Sequence, residues 1–150
     1  MIFQHTWEKV LSGEKTQTRR LVKLGQYGCL GTHADYTMVA DQNGRWVYQV
    51  GKDYAVQPGR GKPAVARIRI TDIRREDVRY ISEHDVCAEG FETSSDFFMT
   101  WCKMHDKGQM LPIIPDYFTG AIVWQGCRSE LLIRPAERYQ AWILTFCLVE

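Results

Sequence analysis

Apolar and polar residues alternate most cleanly over residues 64–73. Ala64, Ala66, Ile68 and Ile70 fall on one side and Arg67, Arg69 and Thr71 on the other, the period of a strand with one buried and one wet face. Before it, residues 7–12 carry Trp7, Val10 and Leu11 at helical spacing, with Thr6 placed to cap and Gly13 to stop a short helix. Residues 16–22 then read as a strand. Gly25, Gly28, Gly31 and Gly44 break any period over residues 23–45, which reads as a long loop or excursion. Short strands are expected at 46–50 and 54–57, followed by the glycine-rich basic turn Pro58-Gly59-Arg60-Gly61-Lys62-Pro63. Ser82-Glu83-His84-Asp85 opens a short helix ended by Gly90, with Asp in the place of a capping-box Glu. Ser94 caps another, whose Phe97, Phe98, Trp101 and Met104 recur at helical spacing and read as core. After a polar connection at 106–119, apolar strands are expected at 120–124 and 140–149, with a weaker one near 131–133.

Several short strands and a few short helices, without a βαβ rhythm or a G-x-G-x-x-G, argue against a Rossmann-like fold. An α+β, mainly β protein is expected: a small, partly open β-barrel decorated with short helices. The 150 residues suit one domain, with 45% hydrophobic and 25% charged residues. No apolar run reaches the roughly 20 residues of a membrane span, and no basic-then-apolar leader opens the sequence. Five scattered cysteines without a Cys-x-x-Cys pair suggest reduced thiols in a cytoplasm, and the four histidines have no metal spacing. Cys102-x-x-His105 is more readily packing than a ligand pair. Neither a metal nor a cofactor is expected. The net charge of +1 divides unevenly: residues 1–79 carry 14 Lys and Arg against 8 Asp and Glu, residues 80–150 carry 5 against 10. A basic half suits either a polyanionic partner or a solvated surface.

The densest chemistry lies in Ser12-Gly13-Glu14-Lys15-Thr16-Gln17-Thr18-Arg19-Arg20. This cluster suits a phosphate or oxyanion, and a neutral lysine beside a threonine hydroxyl can activate it as a nucleophile. Residues 15 and 18 point to opposite faces of a regular strand, so cooperation requires Lys15 to lie in the Gly13 turn, before pleating begins. Backbone N–H groups of residues 13–16 are then candidates for an oxyanion hole. Glu89 stands in the last turn of its helix, where a carboxylate meets the negative end of the dipole. It is either a solvated glutamate or one turned into a cleft toward a cation. Arg60 and Lys62 supply charge, Gln57 a hydrogen-bonding edge, and Trp7, Trp46 and Tyr54 stacking surfaces. With Arg67, Arg69, Arg74, Arg75 and Arg79 they outline a groove for a nucleotide or RNA backbone. The turn is no P-loop, since the G-K-[ST] ending is missing.

Gly13-x-Lys15-x-x-Thr18-x-Arg20 between helix and strand, the strand at 64–73, a Glu-bearing helix and a closing strand with Trp142 resemble the ASCH domain, a family of the PUA-like β-barrels. The hallmark G-x-K-x-x-[ET]-x-R is matched at all four anchors. The resemblance implies association with RNA, or with a nucleoside or nucleotide ligand. It also implies similarity to a compact bacterial subset of amidohydrolases that deacylate the N4 amine of cytidine. Some ASCH proteins are ribonucleases, and others bind without chemistry. Carried over by position, the catalytic residues would be Lys15, Thr18 and Glu89. Binding residues would be Thr16, Arg20, Tyr54, Gln57, Arg60 and Lys62.

Overall fold

The apolar run near the end of the sequence is shielded on both faces only inside a sheet, and Gln140–Val149 forms an inner strand, paired on both sides. In the computed structural model, residues 1–33, 35–105, 114–115, 122–123 and 139–149 are described. In chain order the elements are α1 (Trp7–Leu11), β1 (Gln17–Leu21), β2 (Tyr27–Leu30), β3 (Tyr36–Ala40), β4 (Trp46–Gln49), β5 (Asp53–Val56) and β6 (Ala66–Asp77). A 3₁₀ turn (Val78–Tyr80), α2 (Glu83–Ala88), α3 (Ser94–His105), β7 (Ile114–Pro115), β8 (Ile122–Val123) and β9 (Gln140–Val149) follow.

Seven strands form one antiparallel sheet in the order β1-β9-β6-β3-β2, with β4 added to β3 and β5 to β6. The fold is α+β and mostly β, as expected, but the sheet is not closed into a barrel. β1 pairs with β9 and β2 with β3, while β1 and β2 do not meet. The opening follows from β6. A register shift between Ile70 and Asp72 kinks it, β5 pairs along residues 66–69, and β3 touches it at the single pair Tyr36–Ile73 before diverging.

Residues 23–45, expected as a loop, hold the β2–β3 hairpin. Glycine hid the period there because Gly28 sits beneath packed rings. A Cβ on it would lie 2.4 Å from Tyr36 Cδ1 and 3.0 Å from Trp142 Cη2. Caps differ in detail as well. Thr6 occupies the N-cap of α1 without a side-chain cap bond. Thr93, rather than Ser94, caps α3 by accepting from the Asp96 N–H at 3.1 Å. The connection expected at 106–119 and the strand at 120–124 are described only where β7 pairs with β8, and the strand near 131–133 lies outside the described residues.

Strand β9 carries three apolar clusters. Ala141 joins Val78, Val86, Phe97, Phe98 and Trp101 under α2 and α3. Trp142 and Leu144 join Val39, Ile70 and Ile73. Phe146 joins Phe3, Val10, Val56 and Ile68 beneath α1. The basic cluster of β1 enters where the first and last of these meet.

Candidate functional site

Helix α1 ends at Ser12, and Gly13 turns the chain back with φ +80°, a conformation that needs glycine for its backbone rather than for space. The Lys15 N–H returns to Lys9 O at 2.9 Å and the Thr16 N–H reaches Ala88 O at 2.9 Å. Pleating then begins with Gln17 opposite Thr145. Lys15 therefore lies in the turn, free of the strand's alternation, and both its side chain and Thr18 line one cavity.

The other side is the end of α2. The Ser82 hydroxyl accepts from the Asp85 N–H, fixing the first turn, and Gly90 (φ +83°) ends the last. Three successive carbonyls left over at that end, 88 to 90, accept from the Thr16 N–H, Lys15 Nζ (2.5 Å) and Lys9 Nζ (2.8 Å). Two cations and an amide thus satisfy the orphan acceptors and face the helix's negative end. They also offset the dipole cost to Glu89, whose carboxylate turns inward. Its Oε2 accepts from Lys15 Nζ at 2.7 Å and its Oε1 from Arg19 Nη1 at 3.2 Å. Of the two readings of Glu89, the inward one is realised: Lys15, Thr18 and Glu89 are 3, 5 and 3% exposed.

Arg19, which the sequence offered only as one cation of the anion-binding cluster, is instead a hub of internal ion pairs. Its Nη2 also donates to Asp85 (2.9 Å) and Glu76 (3.2 Å), and Arg74 reaches Glu76 at 3.2 Å and Asp85 at 3.7 Å. With Asp72, 3.5 Å from Arg74, three cations and four carboxylates therefore form one network running from the buried end to the surface. The signal was present in the Ser82-x-x-Asp85 pattern, but the Asp85 carboxylate binds Arg19 instead of closing a capping box. The uneven charge of the two halves is partly resolved inside the molecule, because the basic half's Lys15, Arg19 and Arg74 meet the acidic half's Asp85 and Glu89.

Burial pushes the Lys15 amine below the usual lysine range. The Glu89 charge and hydrogen bond oppose that, and the Arg20 and Arg19 charges add to it. Burial alone would raise the Asp85 carboxyl, but the hydrogen bond and charge of Arg19, with Arg74 and Gln17, hold it below its ordinary value.

The cavity encloses about 150 Å³. Its lining combines Lys15, Thr18, Arg19, Arg20 and Glu89 with the apolar Phe3, Phe91, Phe97, Trp101 and Met104. Arg20 donates to Ile2 O at 2.8 Å and lies over the Phe3 ring, 5.3 Å from its centroid, while its buried Nε has no partner. Of the backbone amides expected to form an oxyanion hole, those of Gly13, Lys15 and Thr16 already bond to Val10, Lys9 and Ala88. Among the described residues lining the cavity, Arg19 Nε and Arg20 Nε are both buried donors without a hydrogen-bond partner.

Other expected binding residues lie elsewhere. Thr16 is exposed and outside the cavity lining. Tyr54 is partly buried against two of the apolar clusters, and Trp7, the first residue of α1, packs against the cluster beneath that helix. Gln57 donates to Lys62 O at 3.1 Å, holding the basic turn. Arg60 and Lys62 line a separate open depression. The arginine groove along β6 is mostly consumed: Arg69 pairs with Asp53, Arg74 with Glu76, and Arg79 with Asp77. Among the described residues no group of three or more His, Cys, Asp or Glu could hold a metal, and no helix is long and apolar enough to cross a membrane.

No family model matches the chain, and no curated protein is similar to it in sequence. Solved structures are similar. Protein EF3133 from Enterococcus faecalis V583, a DUF984 protein, aligns over 97% of this chain and 71% of its own, at 15% identity and a TM-score of 0.54. An ASCH domain from Lactobacillus crispatus JV V101 aligns over 95% and 69%, at 16% identity and a TM-score of 0.57. Identities this low carry the architecture and no activity. The open antiparallel sheet with a few short helices is an ASCH-like fold.

Proposed function

We propose that the chain is a hydrolase of a nucleoside bearing an acylated amine, of the N4-acylcytidine type, with Lys15, Thr18 and Glu89 as the reacting groups. The observation that carries this reading is their convergence, from opposite halves of the sequence, on one cavity that aromatic side chains also line. A neutral amine has two N–H groups and one lone pair. Glu89 occupies two positions on Lys15 Nζ through its carbonyl and Oε2, so the third holds the lone pair once the amine is neutral, the state that burial favours.

In this reading the lone pair takes the Thr18 proton as Oγ1 attacks the acyl carbon. Arg20 steadies the oxyanion with its unpartnered Nε–H. Collapse breaks the C–N bond, and the leaving amine takes a proton passed from Lys15 through Glu89. Water then cleaves the threonine ester, giving one proton to Lys15 and its hydroxyl to the acyl group. The carboxylic acid leaves and Thr18 recovers its hydrogen.

Incubation with N4-acetylcytidine, following release of cytidine and acetate, tests this. Lys15→Ala and Thr18→Val are expected to abolish turnover, the second without loss of fold. Full turnover by Thr18→Val would end the assignment. A binding module without chemistry is the second reading, and it is favoured by the Lys15 amine's hydrogen bonds, which run to Glu89 rather than Thr18. That module would bind nucleotide or RNA equally well with Thr18→Val.

A further inference from the structure

The depression at residues 58–65 borders the cavity through a shared residue. Gln4 lines both. Besides Gln4, the depression is walled by Pro58, Gly59, Arg60, Lys62, Pro63 and Val65, two cations and no carboxylate. Of the arginines on the strand that follows the turn, Arg69 is paired with Asp53 and Arg74 with Glu76, whereas Arg67, nearest the turn, has no ion pair among the described residues. Arg60 and Lys62 have no ion-pair partner among the described residues. Two like charges two residues apart, with nothing to balance them, leave a local excess that an anion relieves.

The turn carrying these cations is fixed. Gln57 Nε2 donates to Lys62 O at 3.1 Å, the Lys62 N–H closes onto Gly59 O at 3.2 Å, and Gly61 has φ +73°. The N-terminal segment that bears Gln4 is pinned beside it, since Phe3 N–H donates to Gln57 O and Gln57 N–H to Met1 O, each at 2.8 Å. Backbone position is therefore set before any ligand arrives, and only the two flexible side chains need to order. Arginine offers a planar fork and lysine a point charge, the pair of chemistries that recognise a phosphate ester.

We propose that Arg60 and Lys62 hold a phosphate ester of the ligand whose base enters the cavity, with Gln4 at the junction. The ligand of this chain is then phosphorylated, a nucleotide or a strand end, rather than a bare nucleoside. This inference rests on the reading of the cavity as a nucleoside site.

The test is a calorimetric titration of the full chain with cytidine, cytidine 5′-monophosphate and a short oligocytidylate, at low and high salt. It is repeated with Arg60→Ala/Lys62→Ala, which lies outside the reacting groups. The monophosphate is expected to bind at least about tenfold more tightly than cytidine, about 1.4 kcal/mol. That advantage should shrink with salt and vanish in the double variant, while cytidine affinity stays unchanged. A preference that stops at the monophosphate identifies a monoester ligand, and one that grows with length identifies a phosphodiester strand; both support the site. Cytidine binding as tightly as its monophosphate, or an advantage surviving in the double variant, overturns this inference and leaves the hydrolase reading standing. Failure of all three ligands to bind at millimolar concentration overturns both.

Discussion

Replacing Glu89 by leucine isolates the interaction on which the candidate site is built. The variant leaves Lys15 buried with a carbonyl and no carboxylate, while Arg19 keeps Asp85 and Glu76. Breaking a buried pair on one side costs about 3–5 kcal/mol. A second route gives the same size. Lys15 can shed its proton, and holding a lysine neutral at pH 7 costs about 1.4 kcal/mol for each unit below its ordinary pKa near 10.4, a ceiling of about 4.6 kcal/mol. The sign with pH follows. A lysine whose folded pKa lies below its unfolded value binds fewer protons when folded, so stability grows as pH rises toward the unfolded value. Burial already lowers Lys15, and without Glu89 it falls further. The deficit of Glu89→Leu should therefore narrow as pH rises, by up to about 1.4 kcal/mol per unit, until the wild-type amine itself deprotonates. Urea denaturation at a series of pH values from about 6.5 to 9.5 measures this. Lys15→Met/Glu89→Leu should recover part of the loss and erase the pH dependence. A deficit below about 1 kcal/mol, or one flat with pH, would refute the buried pair.

Gly28→Ala is expected to cost about 1–3 kcal/mol, read as a lower melting temperature, because its Cβ would collide with the Tyr36 ring under Trp142. Asp85→Asn should cost about 1–2 kcal/mol at neutral pH, since Arg19 keeps two other carboxylates. The Asp85 pKa is lowered, so its contribution is present above the ordinary carboxylate value and lost as pH falls through the folded one. Acid titration followed by circular dichroism should accordingly show the gap between wild type and variant closing below about pH 4. In hydrolysis of N4-acetylcytidine, kcat/KM should rise with pH on a limb whose midpoint lies below that of an ordinary lysine, as burial of Lys15 requires. A midpoint near about 10.4 would count against Lys15 as the base.

Local rules determined much of this protein from the sequence. Period-2 alternation gave β6 and its wet arginine face, and the apolar run gave β9. The glycines after each short helix located both turns that frame the site, and the requirement that residue 15 precede pleating placed Lys15 correctly. Tertiary contacts decided the rest. The β2–β3 hairpin was illegible because Gly28 answers to the Tyr36 and Trp142 rings rather than to any local period. Whether Glu89 faced solvent or a cation, and whether Arg74 was free to meet a ligand, depended on which carboxylates folding delivered to which cations. Charge pairing acts over a few ångströms between groups some seventy positions apart, such as Lys15 and Glu89, and a linear pattern carries no record of that distance.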